Sequence, residues 1–178
     1  HLPLAGTFQA MNALCALGLV LATGEDADSC VKALETLKGA PGRLEHVADR
    51  KNGAAVYVDY AHTPDALETV LNALRPHTKN RLCVVFGCGG DRDPGKRPQM
   101  GAICNALADV VYVTDDNPRS EEPALIRAAI LPACPKGINV GSRALAIEEA
   151  VEQLEAGDIL VVAGKGHETG QLIKGVMH

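Results

Sequence analysis

The chain has 178 residues, of which 47% are hydrophobic and 22% charged, and its formal net charge is -5. This length suits one well-cored domain with part of a second, and the composition argues against a large disordered segment. The acidic balance and an aromatic content of only 3% disfavour a nucleic-acid-binding protein, because such proteins need a basic surface and stacking platforms.

Two helices are predicted first. Apolar residues recur at helical spacing from 7 to 22, where Gly24 marks the end, and a second helical pattern covers residues 28–38. A cluster of helix breakers, Gly-Ala-Pro-Gly, occupies residues 39–42, and the sequence changes character after it. We therefore predict a domain boundary near Gly39, with residues 1–40 and 41–178 in separate domains.

Downstream of this boundary, short β-rich runs alternate with helical patterns. The predicted strands cover residues 55–59, 81–86, 110–114, 138–140 and 158–163. The predicted helices cover residues 64–74, 97–107, 122–131 and 142–154. Repeated βα units predict an α/β fold with a doubly wound, mostly parallel sheet. Ligands of such folds bind at the carboxyl ends of the strands, so we expect the polar segments after four of these strands to meet on one rim.

The first of these polar segments to consider, residues 90–96, fits the opening of a phosphate-binding P-loop, G-x-x-x-x-G-K. We reject that interpretation because Arg97 stands where magnesium needs Ser or Thr, and because Asp91 and Asp93 would place carboxylates beside phosphates. Two interpretations stay open. The loop either presents Arg92, Lys96 and Arg97 to a carboxylate-bearing ligand or the tail of a phosphate, or is an ordinary solvated turn.

Residues 115–119, Asp-Asp-Asn-Pro-Arg, join a predicted strand to a helix. Carboxylates hold an ammonium and Arg119 suits a carboxylate, so the segment can grip a zwitterion. The same residue types also favour a helix entry, and local chemistry leaves both interpretations open. Residues 164–168, Gly-Lys-Gly-His-Glu, are likewise either a tight turn or a close approach of backbone to a ligand.

Cysteine chemistry is not favoured at any of these segments. Cys83 and Cys88 are interpreted as packing and turn residues at a strand end rather than as half of a metal site. His62 follows Asp59 closely, but a hydrolase that uses Cys88 as nucleophile is disfavoured because nothing in the sequence activates that thiol. With no C-x-x-C pair and no apolar run long enough for a membrane span, we expect a reduced cytoplasmic protein without membrane contact.

Taken together and in order, these segments resemble the Mur ligases over nearly the whole chain. The matching segments are residues 6–12, 42–45, 59–64, 86–93, 116–119 and 164–168. The resemblance implies that residues 1–40 end the central ATP-binding domain and that residues 41–178 form the Rossmann-like C-terminal domain, which binds the amino acid. The chain begins with His1 rather than Met, and we expect it to be a piece of a longer protein.

Within this family, Asp-Asn-Pro-Arg is the signature of members that add meso-diaminopimelate, whereas lysine-adding members differ at the Asn and Arg positions. The resemblance implies a diaminopimelate site made of Arg92, Asp116, Asn117, Pro118, Arg119, Gly164 and Glu168. Glu168 would hold the distal ammonium, while Asp116 and Pro118 would shape the motif. It also implies an ATP side made of Asn12, Arg43, Asp59, Tyr60 and His62. Arg43 is the candidate for stabilising the phosphates.

The reaction implied by the resemblance belongs to peptidoglycan synthesis. ATP converts the D-glutamate side chain of UDP-MurNAc-L-Ala-D-Glu to an acyl phosphate, which the amine of meso-diaminopimelate attacks to form an amide. ATP and Mg²⁺ are expected to bind mainly to a region upstream of this chain. We therefore expect no catalytic residue here beyond the candidate Arg43, and no ligation by this chain alone.

The partners implied are meso-diaminopimelate, the UDP-MurNAc-dipeptide and ATP, with no nucleic acid and no membrane, and we expect a monomer. Three alternatives stay open. They are a lysine-adding Mur ligase, a relative of folylpolyglutamate synthetase, and a non-catalytic amino-acid-binding module.

Overall fold

Helices α1 and α2 precede the first strand, as the sequence predicts. Their bounds in the computed structural model, which describes residues 2–178, are Thr7–Ala22 and Ala27–Ala33, followed by a 3-10 turn at Leu34–Thr36. Asp26 is the N-cap of α2, and its carboxylate accepts a hydrogen bond from the backbone N–H of Ser29 at 2.9 Å. The helix ends before the predicted Lys38, since its last turn tightens into the 3-10 turn ahead of the breakers.

The chain divides into two compact units, one that ends at Ala40 and one formed by Pro41–His178. The division falls inside the breaker cluster of residues 39–42. Among residues 2–178, no helix has both the length and the apolar character that crossing a membrane requires.

A six-stranded sheet organises the second unit. Its strands are Glu45–Asp49 (β1), Ala55–Asp59 (β2), Leu82–Phe86 (β3), Val110–Val113 (β4), Gly137–Asn139 (β5) and Ile159–Ala163 (β6). The order across the sheet is β1-β2-β6-β3-β4-β5, and every neighbouring pair is parallel except β1 and β2. The predicted mostly parallel α/β sheet is confirmed. The edge strand β1 escapes prediction because its residues are mainly exposed and carry no apolar run.

Helices cover both faces of this sheet. Their bounds are Pro64–Leu74 (α3), Lys96–Leu107 (α4), Pro123–Ile130 (α5) and Arg143–Glu152 (α6). On one face, Ala146 and Ala150 of α6 pack against Cys83 and Val85 of β3. Strand alternation turns the fully buried Val84 to the other face, where α3, α4 and α5 lie side by side. The core therefore lies on both sides of β3 and β6.

A short hairpin ends the chain. Its strands are Leu172–Ile173 (β7) and Val176–Met177 (β8), which pair in antiparallel fashion. One parallel bridge links Ile173 to Arg119, outside the main sheet. Strands of two residues are too short to show a period of hydrophobicity, so this hairpin is also missed by the sequence analysis.

Candidate functional site

The carboxyl ends of β2, β3, β4 and β6 open onto one cavity of about 380 Å³, a volume that suits a small ligand. Residues from the segment after each strand line it, namely Tyr60, His62, Thr63, Gly87, Gly89, Arg92, Asp93, Lys96, Asp116, Asn117, Arg119, Gly164 and Glu168. The convergence that the sequence predicts for these four segments is therefore observed.

Most of the predicted amino-acid-binding residues reach this cavity. Those that line it are Arg92, Asp116, Asn117, Arg119, Gly164 and Glu168. Pro118 is buried behind the lining, where its carbonyl oxygen faces Gly90.

The residues predicted for the ATP side are divided. Tyr60 and His62 line the cavity, whereas Arg43 and Asp59 do not. Asn12 belongs to the first unit, where its side-chain amide donates to the Gln9 side chain at 3.3 Å.

Asn117 is held in one orientation by two donors. Its Oδ1 accepts hydrogen bonds from the Lys165 ammonium and from the backbone N–H of Leu172, both at 2.8 Å. Because both donors lie on the oxygen side, the amide nitrogen is turned toward Glu168, to which it donates at 3.1 Å. The orientation of this side chain is thus set by its surroundings rather than by its own turn.

The Glu168 carboxylate lines the cavity, and its side chain is one-third exposed. Partial burial opposes its ionisation, but hydrogen bonds from Lys165, at 3.0 Å, and from Asn117 outweigh it and hold the pKa of Glu168 below its ordinary value. A charged carboxylate with open faces is available there for an ammonium group.

Arg119 has an unusual backbone and a close-packed side chain. Its φ is +52°, in the left-handed region. Its Nη1 donates to the carbonyl oxygens of Gly90, at 2.8 Å, and Asn117, at 3.3 Å. A Cβ at Gly89 would stand 2.7 Å from this nitrogen, and one at Gly90 would stand 2.0 Å from the Pro118 carbonyl oxygen. Two glycines therefore make room for the motif.

A buried cation, the Arg143 guanidinium, lies behind Asp116, and nothing in the sequence predicts it. Asp116 Oδ1 accepts the N–H of Asn117 at 2.7 Å, while its Oδ2 has no hydrogen-bond partner within residues 2–178 and lies 4.0 Å from Arg143 Nη1. Arg143 also donates to the Ala163 carbonyl at 2.7 Å. Burial lowers the pKa of Arg143, although the charges of Asp116 and Glu168 oppose this. An arginine in the first turn of a helix gives no signal in the sequence that it will be buried.

The loop after β3 corrects one prediction. Arg92 lines the cavity, but Arg97 does not face it, because the Arg97 side chain is buried and its Nη2 donates to both Glu121 oxygens at 2.8 and 2.9 Å. The hypothesis that Arg97 is presented to a ligand is therefore wrong. Arg97 pairs instead with Glu121, which lies in the segment after β4.

The same loop does not offer its backbone to a phosphate. The N–H of Gly95 donates to the Asp93 carboxylate at 2.8 Å. The N–H of Asp91 donates to the Glu121 carboxylate at 2.7 Å. A phosphate cradle needs free N–H groups at such a loop. This agrees with the rejection of the P-loop interpretation.

Tyr60 gathers charged and aromatic groups at the rim of the cavity. The Arg43 guanidinium lies over its ring, 4.6 Å from the centroid, and the rings of His62 and His167 lie 4.6 and 5.6 Å away. Asp59, next to it, is buried and accepts the N–H groups of Leu44 and Ala61, each at 2.6 Å. Burial raises the pKa of Asp59, against these hydrogen bonds. Asp59 therefore fixes the backbone immediately after Arg43 and immediately after Tyr60.

Thiol and metal chemistry have no built site in the described part of the chain. Burial raises the pKa of Cys88 to about 11 and that of Cys83 to about 12, so neither thiol is an activated nucleophile at neutral pH. No group of His, Cys, Asp and Glu side chains among residues 2–178 has the arrangement of a metal site.

Comparison with known proteins supports one family. Residues 42–166 match the family described as "Mur ligase, glutamate ligase domain". A Caulobacter vibrioides protein named UDP-N-acetylmuramoyl-L-alanyl-D-glutamate--2,6-diaminopimelate ligase is 62% identical over 177 residues, which is 99% of this chain and 36% of the relative. A solved structure of a ligase with the same name is 43% identical, with a TM-score of 0.75 over 100% of this chain and 37% of that one.

A more distant structure shares the fold alone. The folylpolyglutamate synthase of Mycobacterium tuberculosis is 24% identical, with a TM-score of 0.72 over 92% of this chain and 39% of that one. The chain spans only 36% of the length of its curated Caulobacter relative.

Proposed function

The chain belongs to the Mur ligase family, and we propose that it forms the amino-acid-binding part of an ATP-dependent ligase that adds meso-2,6-diaminopimelate to UDP-MurNAc-L-Ala-D-Glu. The observation that carries this proposal is the pairing of Arg119 and Glu168 in one cavity. A guanidinium and a charged carboxylate that line the same cavity match the carboxylate and ammonium of an amino acid.

The distal carboxylate of diaminopimelate explains why the site would prefer this amino acid to lysine. Diaminopimelate differs from lysine by a carboxylate at its distal carbon, and Arg119 and Arg92 bring guanidinium groups to the same cavity. A planar guanidinium binds a carboxylate through two parallel hydrogen bonds. Lysine would leave these donors unmatched, which is a stronger basis for rejection than size.

The site residues act by positioning the nucleophile. The amine attacks the acyl-phosphate carbonyl, an amide bond forms, and phosphate leaves, so the enzyme needs no covalent intermediate. A cavity that fixes the distal carboxylate and ammonium directs the reacting amine out of its mouth, where orientation accelerates the step.

The ATP side is proposed to lie at the rim beside this cavity. Arg43, held over the Tyr60 ring, and His62 supply cationic and polar groups for phosphates. Asp59 would act through the loop that it anchors. The role of Asn12 in ATP binding stays a prediction from the family resemblance. Mg²⁺ supplies charge neutralisation at the phosphates when bound. Following the family resemblance, we propose that Mg²⁺ binds mainly to the region upstream of this chain.

The domain assignment follows the family. The unit that ends at Ala40 would be the last part of the central ATP-binding domain, and Pro41–His178 would be the C-terminal domain. The proposed whole acts in the cytoplasm as a monomer, in cell-wall synthesis.

A chimera tests the proposal directly. We join the upstream part of the Caulobacter vibrioides relative to this chain and measure ADP release with meso-diaminopimelate and with L-lysine. We expect ligation of diaminopimelate with kcat/KM at least about 100-fold above that for lysine. The unaltered Caulobacter protein is the positive control.

Other outcomes separate the alternatives. A preference for lysine contradicts the specificity, and a preference for glutamate indicates a folylpolyglutamate-synthetase-like activity. If the chimera does not ligate but calorimetry detects diaminopimelate binding to the 178-residue chain, the binding-module alternative replaces the proposal.

A further inference from the structure

The segment of residues 171–174 holds the motif of residues 115–119 along its whole length, and we call this segment the clamp. Gln171 Nε2 donates to the carbonyl oxygens of Asp115, at 3.2 Å, and Asp116, at 2.7 Å. The backbone of the clamp adds three bonds. These are Leu172 N–H to Asn117 Oδ1 at 2.8 Å, Arg119 N–H to the Leu172 carbonyl at 3.0 Å, and Lys174 N–H to the Arg119 carbonyl at 2.7 Å.

These bonds hold Arg119 in a conformation that it would not adopt by itself. The φ of Arg119 is +52°, in the left-handed region. This conformation is unfavourable for residues other than glycine. The N–H and the carbonyl of Arg119 are both bonded to the clamp, one to Leu172 and one to Lys174. Loss of these bonds would release the backbone and move the guanidinium out of the cavity.

The clamp also fixes Asn117. Its Oδ1 accepts from Leu172 as well as from Lys165, and this leaves the amide nitrogen facing Glu168. Gln171 stabilises the same turn from the other side, because one amide group satisfies two successive carbonyls where β4 ends. The positions of Asn117 and Arg119, which both line the cavity, therefore depend on the clamp.

We propose that the clamp, through Gln171 in particular, is a positioning element that sets the affinity of the site for diaminopimelate. This inference rests on the proposed function of the same cavity. The clamp lies outside the family match of residues 42–166, and its residues contact the motif rather than line the cavity. Their effect on the ligand is indirect.

Gln171→Met in the chimera tests this role. Methionine keeps the length of the side chain and removes both donated hydrogen bonds. We expect KM for diaminopimelate to rise about tenfold, with KM for ATP and kcat changed less than about twofold. Gln171→Glu should raise KM further, because a carboxylate would face two carbonyl oxygens. Gln153→Met, at an exposed position, is the matched control and should leave all three constants unchanged.

Hydrogen exchange supplies a readout that does not depend on ligation. In the 178-residue chain, Gln171→Met should speed exchange at the Arg119 N–H, whereas exchange in β3 and β6 should stay as it is. An unchanged Arg119 rate, or an equal rise of KM for ATP and diaminopimelate, would overturn the positioning role. Failure of the unsubstituted chimera to ligate would instead overturn the proposed function, and the role in affinity with it.

Discussion

Arg119 reaches the cavity from a strained backbone, and its guanidinium is partly held by the Gly90 and Asn117 carbonyls. Arg119→Ala removes the donor proposed for the distal carboxylate. A charge-assisted contact is worth about 1.5–3 kcal/mol, so KM for diaminopimelate should rise roughly 10- to 150-fold in the chimera. Arg75→Ala is the control, because Arg75 pairs with Asp109 just before β4 begins, at the other end of the sheet. An unchanged KM for the Arg119 variant would remove Arg119 from the site.

Lys165 determines how the Glu168 carboxylate responds to pH. The pKa of Glu168 is held below its ordinary value of about 4.3, so its charge is present above that value and is lost only as pH falls through the lower folded pKa. Lys165→Met removes the main group that lowers this pKa and leaves partial burial to raise it. Between pH 6 and pH 4, diaminopimelate affinity should then fall more steeply than in the unsubstituted chain. Parallel pH profiles of KM for the two proteins would contradict this account.

Alanine substitutions at the adjacent Gly89 and Gly90, in the loop after β3, should have different effects on binding and on stability. At Gly89 an added Cβ meets the end of the flexible Arg119 side chain, whereas at Gly90 it meets the backbone of Pro118. Gly89→Ala should therefore raise KM for diaminopimelate and leave the melting temperature nearly unchanged. Gly90→Ala should lower the melting temperature by several degrees, the response to roughly 1–3 kcal/mol of strain. Equal melting temperatures for the two variants would show that the loop yields at both positions.

The elements that the sequence predicts well are strands buried on both faces and helices with one clearly apolar face. Strands such as Leu82–Phe86 and Ile159–Ala163 are continuous apolar runs, and α3 has a clear amphipathic period, so both leave a strong pattern. The edge strand β1 and the clamp are exposed or half-buried and leave none. Their structure comes from pairing with a distant segment, which periodicity does not encode.

The features of the site, like the elements of the fold, are only partly predictable from the sequence. Strand-end placement predicted that four polar segments would meet, and the resemblance supplied their residues. Neither specifies which partner each side chain finds. Arg97 pairs with Glu121, and Arg143 is buried behind Asp116, because the fold brings a helix start and a distant strand-end segment together in each case.

The cavity lies at the carboxyl ends of the strands, whereas a stabilising ion pair lies at their amino ends. At the amino end, the Asp158 carboxylate is fully buried and accepts hydrogen bonds from the backbone and guanidinium of Arg81 and from the N–H of Glu155. Burial opposes its ionisation, yet these bonds outweigh burial and hold the pKa of Asp158 below its ordinary value. This carboxylate therefore joins β3 and β6 where no ligand is expected.

Asp158→Asn should lower the free energy of unfolding by about 3 kcal/mol, because Arg81 loses its buried carboxylate partner. Arg81 keeps the exposed Glu155 carboxylate, 3.5 Å away, and the Gln153 carbonyl. KM for diaminopimelate should not change. The stabilisation is present above the unfolded pKa of about 3.9 and is lost as pH falls through the folded value. Urea unfolding at pH 7 and pH 3 measures this, and the gap between variant and parent should narrow at pH 3. A constant gap would show that charge is not the cause.

The two compact units should differ in their ability to fold alone. All residues that line the cavity belong to Pro41–His178, which also contains the whole sheet and the clamp. The chain shortened to residues 41–178 should therefore unfold in one cooperative urea transition and keep slow exchange at the Arg119 N–H. By contrast, α1 exposes Leu14 and Leu19 by 59% and 72%, and a helix of this length is marginal without tertiary packing. Residues 1–40 alone should show little helical circular dichroism. A helical 1–40 peptide, or a shortened chain without a cooperative transition, would contradict this division.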